Sequence, residues 1–362
     1  MIVRLALSAA GLAVWLVAAV LAQSPPAVVL ITLDGARIEE MFFGVDTAIL
    51  RAQLKPEQRL EDHELYKRYW APTPQARREK LLPFFWGTLM RQHGSIAGNP
   101  ALRSRVHVTN RHLISYPGYS ELLIGRALDD VITSNAPTQN PNRTVLEFLQ
   151  SSHRLSREQV AVFGSWPALR VVVEQKAGAV TVNAGTERFD SPDPGVRRDS
   201  ELQFATPTPW AQIRYDAYTA RFAMDHLARH RPRVLHVAFD ETDSWAHDLR
   251  YDRLLEAYGR TDRFLQELWA WLQSQPDYRD RTSLLITTDH GRGRTPADWR
   301  NHHEQVAGAR EIWMAFVSPA WSRRGEWRNH EPLTASQAAA TLITWMGGDW
   351  KQFSGAAPPV RP

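Results

Sequence analysis

The sequence contains no cysteine among its 362 residues. This absence excludes disulfide bonds, thiolate ligands for a metal, a cysteine nucleophile and the lipid-modified cysteine of a lipoprotein. Any metal site in the chain must therefore be built from histidine, aspartate, glutamate and hydroxyl side chains.

The chain also lacks a strong charge of either sign. It has 43 Lys+Arg against 39 Asp+Glu, which gives a formal net charge of +4 and a sequence pI near 9.4. Along the sequence the basic residues are scattered and form no stripe interleaved with aromatic residues. The composition thus gives no indication of a nucleic-acid-binding patch.

Only one long hydrophobic run is present, and it lies at the start. Arg4 precedes an apolar stretch from Leu5 to Ala22, and the residues before Gln23 suit a signal peptidase. The pattern predicts a signal peptide over residues 1–22. The stretch is also close to the length of a membrane span, so an uncleaved anchor is the alternative. In either case we expect export to the periplasm or out of the cell, with membrane attachment only through this segment.

Short apolar strands alternate with amphipathic helices along the rest of the chain. Strands are predicted at Val28–Leu33, Val234–Phe239 and Leu284–Thr288, with a long helix at Tyr251–Gln273 between the last two. This alternation predicts an α/β fold with a mostly parallel central sheet and helices on both faces.

One catalytic domain is expected over residues 23–350. The polar, irregular stretches 36–80 and 185–209 are predicted to form small cap excursions over one edge of the sheet. Residues 351–362 end in the segment SGAAPPVRP and are predicted to form a flexible tail.

Three predicted strands deliver an aspartate at their carboxyl ends. Asp34 follows the first strand in LITLDG, and Asp289 is followed at once by His290 in ITTDHG. The segment after the third strand offers Asp243 and His247. Open α/β sheets bind ligands at this edge. Carboxylate oxygens beside imidazole nitrogens suit zinc and similar divalent ions. The strand ends therefore predict a metal centre, although the adjacent Asp289 and His290 point in different directions and need not bind the same ion.

Two further ligand patterns follow from spacing. Asp243 and His247 are four residues apart, so on a helix they share a face and can bind one ion. Another histidine ligand is predicted in the segment WRNHHEQ, as either His302 or His303.

Ser115 has the surroundings of a nucleophile. It precedes Pro117 and Gly118, and the helical pattern begins at Tyr119, so we expect Ser115 on a tight loop just before a helix. The free N–H groups at the start of a helix favour an anionic phosphate.

The ordered set of motifs resembles the alkaline phosphatase superfamily, and in particular its phosphodiesterase/nucleotide-pyrophosphatase-like branch. The set consists of a strand-end Asp in LITLDG, a serine in S-Y-P-G, then D-x-x-x-H, D-H-G and a late histidine, over roughly residues 28–346. The resemblance implies an alkaline-phosphatase-like fold and a metal-dependent hydrolase of phosphate esters. As an ordered set it is far more specific than D-H-G alone.

The resemblance also assigns ligands to two divalent ions. The first ion is assigned carboxylates, an imidazole and the serine hydroxyl, from Asp34, Asp289, His290 and Ser115. The second is assigned Asp243, His247 and a late histidine, and the spacing from Trp299 favours His302 over His303.

The implied mechanism is two-metal phosphoryl transfer, in which Ser115 attacks phosphorus and the resulting phosphoserine is hydrolysed by water. Zn²⁺ is the expected metal because it needs no redox control in an exported protein, and Mn²⁺ or another dication is the alternative.

One position departs from the pattern of the superfamily. Its diesterases often carry an Asn after the Pro of the nucleophile loop, where the amide holds a phosphate oxygen, but here that position is Gly118. Another donor must serve, and the candidates for substrate binding are Asn110, Ser120, Arg37 and Arg292. The departure leaves the choice between phosphate monoesters and diesters open.

Other functions on the same fold are the alternatives. A formylglycine sulfatase needs an Arg where Tyr119 stands, and a phosphomutase needs a large insertion for which the spacing from Ser115 to Asp243 leaves little room. A phosphotransferase would use the same phosphoserine. A non-catalytic binding module would have lost ligands, whereas every ligand position is kept here. The cap excursions carry no motif that identifies the substrate.

Overall fold

The computed structural model describes residues 26–362. The strands are β1 (Ala27–Leu33), β2 (Gly94–Ala97), β3 (Val106–His107), β4 (Val160–Gly164), β5 (Thr181–Ala184), β6 (Val234–Phe239), β7 (Thr282–Thr287), β8 (Glu311–Ile312), β9 (Met314–Val317), β10 (Gly325–Glu326) and β11 (Leu333–Thr334). They form an eight-stranded sheet in the order β10-β2-β9-β7-β1-β6-β4-β5 and a three-stranded sheet in the order β11-β3-β8.

The α-helices are α1 (Ile38–Phe43), α2 (Thr47–Gln53), α3 (Glu64–Tyr69), α4 (Pro74–Leu81), α5 (Ser115–Ile124), α6 (Val145–Ser152), α7 (Leu169–Val172), α8 (Pro194–Ala205), α9 (Asp216–His230), α10 (Glu241–His247), α11 (Tyr251–Ser274) and α12 (Gln337–Trp345). A π-helix covers Phe85–His93, and short 3₁₀ helices cover Leu60–Asp62, Pro100–Leu102, Arg157–Gln159 and Trp350–Gln352.

Strand β1 lies inside the large sheet, parallel to β6 on one side and to β7 on the other. Its side chains alternate between two buried apolar clusters, with Val29 and Ile31 in one and Val28 and Leu30 in the other. Of the eight described strands of this sheet, only β9 runs antiparallel to its neighbours. The predicted α/β fold with a mostly parallel sheet covered on both faces is therefore confirmed.

Two predicted elements differ in detail. The apolar pattern predicts one strand over Ile312–Val317, but the chain changes sheet at Trp313, whose buried indole donates to the carbonyl oxygen of Ala36. The pattern also predicts a last helix capped by Thr334. In the structure Thr334 belongs to β11, and α12 begins three residues later.

Both excursions contain helices that pack on the same face of the sheet. Residues 36–80 form α1 to α4, and the indole of Trp86 donates to the carbonyl oxygen of Met41 at 3.1 Å. Residues 185–209 contain α8, and Phe189 stacks on Phe222 of α9 with ring centroids 4.9 Å apart. These side chains join the apolar cluster of Val29, so the excursions cover a face rather than an edge.

The structure corrects the prediction of a flexible C-terminal tail. Phe353 and Val360 are buried in the apolar cluster that contains Val28. The N–H of Val360 donates to Oγ1 of Thr341 at 2.9 Å. These contacts attach residues 351–362 to α12.

No helix within residues 26–362 is long and apolar enough to cross a membrane. The predicted signal peptide or anchor at residues 1–22 lies outside the described residues.

Candidate metal centre and nucleophile

The carboxyl ends of β1, β6 and β7 bring the predicted ligands to one edge of the sheet. Asp34 follows β1, Asp243 lies in α10 just after β6, and Asp289 and His290 follow β7. Gly35 makes the close approach of these segments feasible. Its φ is +57°, and a Cβ atom there would lie 2.8 Å from Oδ1 of Asp243.

Asp34, Asp289 and His290 form a first cluster, called here the Asp34 cluster. The Nε2 atom of His290 lies 3.4 Å from Oδ1 of Asp34 and 3.5 Å from Oδ2 of Asp289. All three side chains are buried. The Nδ1 atom of His290 donates to the carbonyl oxygen of Gly291 at 3.0 Å, which directs Nε2 at the carboxylates.

The electrostatics of the Asp34 cluster favour an added positive charge. Burial raises the pKa of Asp289 to about 7, and the negative charge of Asp34 contributes to the rise. Burial lowers the pKa of His290, but the carboxylates of Asp289 and Asp34 outweigh this and raise it to about 9. Both shifts result from carboxylates packed together in a buried site, which a cation would stabilise.

Asp243, His247 and His302 form a second cluster, called here the His247 cluster. The Nε2 atom of His247 lies 3.2 Å from Oδ2 of Asp243 and 3.0 Å from Nε2 of His302. The Nδ1 atom of His302 donates to the carbonyl oxygen of Leu113 at 3.0 Å. Burial lowers the pKa of His247 and of His302, so both rings are neutral at neutral pH and offer a lone pair.

The structure separates the two candidates for the late histidine. His302 belongs to the His247 cluster, whereas His303 is exposed and its Nδ1 atom accepts the N–H of Gln305 within its own loop. Geometry therefore agrees with the preference for His302, and its role as a metal ligand remains a prediction.

The two clusters are in direct contact. The rings of His290 and His302 are stacked with centroids 3.9 Å apart and an interplanar angle of 9°. The Nε2 atom of His290 lies 3.9 Å from Oδ1 of Asp243. Two ions held by these clusters would therefore be neighbours, as a two-metal site requires.

The hydroxyl of Ser115 reaches the Asp34 cluster. Its Oγ atom lies 3.4 Å from Oδ1 of Asp34 and 3.4 Å from Nε2 of His290. The prediction that Ser115 precedes a helix is off by one turn, because α5 begins at Ser115 itself, with Ile114 as the N-cap. Pro117 is tolerated in this first turn because its missing N–H would have no partner within the helix.

The structure corrects the role predicted for Asn110. Its Nδ2 atom donates to Oε2 of Glu121 at 2.9 Å, and its Oδ1 atom accepts the N–H of Leu113 at 2.9 Å. The residue is buried. Asn110 thus holds the loop that leads to Ser115 rather than offering an amide to a substrate.

The two arginine candidates are also engaged within the protein. Arg37 is buried, forms an ion pair with Glu40 and donates to the carbonyl oxygen of Gly293 at 3.0 Å. Arg292 is buried, forms an ion pair with Asp243 and donates to the carbonyl oxygen of Arg300. Arg37 is therefore structural, whereas Arg292 touches the His247 cluster and acts on its charge.

One polar residue beside the nucleophile has no sequence signal. Asn135 lies on an exposed loop, and its Oδ1 atom accepts the N–H of Tyr116 at 2.9 Å. This bond anchors the side chain next to Ser115 and leaves the Nδ2 group available for a ligand. Neither its spacing nor its neighbours in the sequence distinguish Asn135 from other loop asparagines.

The donor set fits two divalent ions of the zinc type. It combines carboxylate oxygens, imidazole nitrogens and one hydroxyl. The buried Oδ2 atom of Asp289 has no hydrogen-bond partner, and a buried carboxylate oxygen of this kind calls for a cation. The residues present therefore match the metals that the resemblance implies.

Comparison with protein families gives an independent result. The family model described as "Type I phosphodiesterase / nucleotide pyrophosphatase" matches residues 54–330. The matched segment contains Ser115 and every ligand candidate except Asp34. No curated protein matches the sequence.

Solved structures share the fold at low sequence identity. The phosphonate monoester hydrolase SpPMH from Silicibacter pomeroyi matches with a TM-score of 0.56 and 12% identity, over 93% of this chain and 78% of that one. The lipoteichoic acid synthase LtaP from Listeria monocytogenes matches with a TM-score of 0.55 and 9% identity, over 92% and 74%. A mutant of the alkaline phosphatase PafA matches with a TM-score of 0.54 and 10% identity, over 93% and 98%.

Proposed function

We propose that this chain, a member of the type I phosphodiesterase / nucleotide pyrophosphatase family, hydrolyses phosphodiesters through a phosphoserine. This family belongs to the alkaline phosphatase superfamily. The family supports a hydrolase, and the nucleophile, the metals and the class of ester are our proposal. The observation that carries it is the position of the Ser115 hydroxyl, whose Oγ atom lies 3.4 Å from Oδ1 of Asp34 and 3.4 Å from Nε2 of His290.

Two divalent ions are part of this proposal, with Zn²⁺ preferred and Mn²⁺ as the alternative. The Asp34 cluster and the hydroxyl of Ser115 would hold one ion, and the His247 cluster would hold the other. When bound, the ions would lower the pKa of the hydroxyl and neutralise charge on the phosphate oxygens.

In the proposed reaction Ser115 is the nucleophile, and neighbouring groups bind the phosphate. Ser115 loses its hydroxyl proton, its Oγ atom bonds to phosphorus, and the alkoxide of the ester leaves from the opposite side. Water then attacks the phosphoserine, and the Oγ–P bond breaks as Oγ regains a proton. Because α5 begins at Ser115, we assign the positive end of its dipole to the phosphate, and we assign to Asn135, held by its bond to Tyr116, a hydrogen bond to a phosphate oxygen.

The charges of the site favour diesters over monoesters. A diester carries one negative charge at phosphorus and a monoester dianion carries two, so a further cationic group at the phosphate would favour the monoester. Arg37 is engaged with Glu40 and Arg292 with Asp243, while the donor beside Ser115 is the neutral amide of Asn135. We therefore propose that this site prefers the substrate of lower charge.

Two parts of the proposal rest on the sequence. The apolar run at residues 5–22 supports export to the periplasm or beyond. The buried Tyr119, where a formylglycine sulfatase needs an Arg, supports phosphate rather than sulfate esters as substrates.

The test compares purified wild-type protein with Ser115→Ala, using bis(4-nitrophenyl) phosphate, 4-nitrophenyl phosphate and 4-nitrophenyl sulfate. We expect diester turnover to exceed monoester turnover, no turnover of the sulfate, and loss of at least about a thousandfold in kcat for Ser115→Ala. Elemental analysis should find two metal ions in the wild type and at least one in the variant. Ser274→Ala, at the far end of α11, is the control. Full turnover in Ser115→Ala would refute the nucleophile, and an absence of metal would refute the two-ion site.

A further inference from the structure

The edge of the large sheet opposite Asp34 is formed by the loops and helix ends that precede the parallel strands, together with the loop after β9. We call this surface the amino edge. It consists of residues 26, 91–93, 153–159, 173–180, 231–233, 275–281 and 318–324. Main-chain hydrogen bonds join several of these segments, for example from Ala27 to Arg281, from Val28 to Arg233 and from Arg233 to Gln159.

Basic residues are concentrated on the amino edge. Its ten basic residues are Arg91, Arg154, Arg157, Lys176, Arg231, Arg233, Arg279, Arg281, Arg323 and Arg324, and its four acidic residues are Glu158, Glu174, Asp277 and Asp280. The amino edge therefore has a net charge of +6, whereas the whole chain has +4. The rest of the molecule is therefore slightly acidic, and the excess of positive charge lies on the amino edge.

Several of these charges are held by groups that do not neutralise them. Arg324 donates to the carbonyl oxygens of Gln92 and Trp321 at 2.9 and 2.7 Å. Arg323 lies over the ring of Trp327 at 4.0 Å. Carbonyl oxygens and an aromatic face orient a guanidinium group without removing its positive charge.

The same arrangement recurs where α9 and α11 end. Arg231 donates to the side-chain oxygen of Gln275 at 2.7 Å and lies over the ring of Trp271 at 5.0 Å. Trp269, Trp271 and Trp321 are each partly exposed at this edge. Tryptophan beside arginine is the composition of surfaces that sit at the boundary between water and lipid.

The hydrophobic run of the sequence connects directly to the amino edge. Only residues 23–26 separate Ala22 from Ala27, the first residue of β1. Four residues span at most about 14 Å even when fully extended. A run at residues 5–22 retained in a bilayer would therefore hold the amino edge, and no other surface of the domain, against the membrane.

We propose that the amino edge is a docking surface for a bilayer that contains anionic phospholipids. Its exposed and half-buried arginines, Arg279, Arg323 and Arg324 among them, bind the phosphate headgroups, and its tryptophans lie at the interface. The edge that carries Ser115 then faces away from the bilayer, at a height of at least about 20 Å, the length of β1. The catalytic site would thus be open to substrates in solution. The proposal does not depend on the proposed function, because none of its residues belongs to the site.

Because the sequence has no cysteine, single labelling sites can be introduced without background. The full chain, synthesised into nanodiscs, carries a fluorescent donor at Ser322→Cys on the amino edge or at Ser134→Cys, next to Asn135. Energy transfer to an acceptor on the lipid headgroups reports the distance to the membrane. We expect strong transfer from position 322 in phosphatidylglycerol nanodiscs, at least a twofold decrease in phosphatidylcholine, and weak transfer from position 134 in both.

Charge reversal separates docking from simple tethering. Arg279→Glu, Arg323→Glu and Arg324→Glu together should reduce transfer from position 322 in phosphatidylglycerol to its phosphatidylcholine level. Lys55→Glu, Arg59→Glu and Lys67→Glu, in the excursion at residues 36–80, change the net charge equally and should leave transfer unchanged. Thermal melting and diester turnover check that both triple variants are folded. The proposal would be overturned if energy transfer from position 322 were the same in both lipids and in the first triple variant. Equal energy transfer from positions 322 and 134 would also overturn it.

Discussion

The main chain of Gly118 packs against the carbonyl group of Asp289, so that a Cβ atom added to Gly118 would lie 2.4 Å from that oxygen. This contact fixes the first turn of α5, which begins at Ser115, against the end of β7, which carries two predicted ligands. The residue that looks like a missing donor in the sequence is therefore a packing position. Its lack of a side chain sets the distance between the nucleophile and the Asp34 cluster.

Gly118→Ala is expected to damage the site rather than the fold as a whole. The added methyl group meets main-chain atoms that cannot move independently, so α5 or the end of β7 must shift, at a cost of about 1–3 kcal/mol in the free energy of unfolding. We expect kcat/KM for a diester to fall at least about tenfold, because the hydroxyl of Ser115 moves relative to its partners. Enzyme assays and urea unfolding measure the two effects.

Gly87→Ala is the matched control for Gly118→Ala. A Cβ atom at Gly87 meets no atom within 4 Å, and the residue lies in the π-helix. We expect unchanged turnover and unchanged or slightly increased stability, because alanine favours helical backbone more than glycine does. Equal turnover in the two variants would show that the contact between Gly118 and Asp289 does not position Ser115.

Replacement of the two neighbouring histidines should have opposite outcomes. His302→Ala removes one donor of the His247 cluster, so we expect elemental analysis to find about one metal ion fewer per chain and turnover to fall by about a hundredfold or more. His303→Ala removes an exposed ring and should keep the metal content and the activity. If His303→Ala loses the ion and His302→Ala keeps it, His303 rather than His302 is the histidine ligand.

The clustering of the candidate ligands could be predicted from the sequence because it depends on one topological rule, and their role as metal ligands remains a prediction. Parallel strands have their carboxyl ends at the same edge of a sheet. Asp34, Asp289 and the helix after β6 therefore lie close together if their three strands are neighbours in the sheet. The pairing of β1 with β6 and β7 supplies that adjacency. The fold class followed from the same alternation of strands and helices.

The polar residues around the ligands could not be assigned in this way. Asn110 and Arg37 looked available for a phosphate, but the carboxylates of Glu121 and Glu40 occupy them in the buried interior. Asn135 reaches Tyr116 through a loop conformation that no sequence pattern reports. Tertiary contacts decide which polar side chains are available to a substrate, and such contacts depend on the packing of the whole chain.

The packed C-terminus predicts a stability effect that a flexible tail would not show. Val360→Asp places a carboxylate among apolar side chains, and we expect the free energy of unfolding to fall by about 2–4 kcal/mol. Arg361→Asp, at the exposed neighbouring position, is the control and should change it by less than about 0.5 kcal/mol. Urea denaturation of both variants makes the comparison, and equal stability would indicate that the tail is detached in solution.

His236, buried in β6, predicts a loss of stability in mild acid. Burial lowers its pKa from 6.5 to about 3, and its Nε2 atom pairs with the hydroxyl of Thr32 at 3.0 Å. In the unfolded chain the ring has its ordinary pKa. As the pH falls below 6.5, His236 therefore binds a proton in the unfolded state but not in the folded state. The contribution of His236 is therefore present above pH 6.5 and is lost progressively down to about pH 3, at about 1.4 kcal/mol per pH unit.

His236→Gln keeps a polar partner for Thr32 but cannot titrate. We expect the free energy of unfolding of this variant to depend less steeply on pH between about 6 and 4, by about one proton, than that of the wild type. His303→Gln, at an exposed ring, should retain the full slope. Urea unfolding at a series of pH values gives the three slopes. If His236→Gln and the wild type have the same slope, His236 binds its proton as readily in the folded state as in the unfolded chain. The acid sensitivity must then come from other groups, such as His226, whose pKa is lowered by burial to about 4.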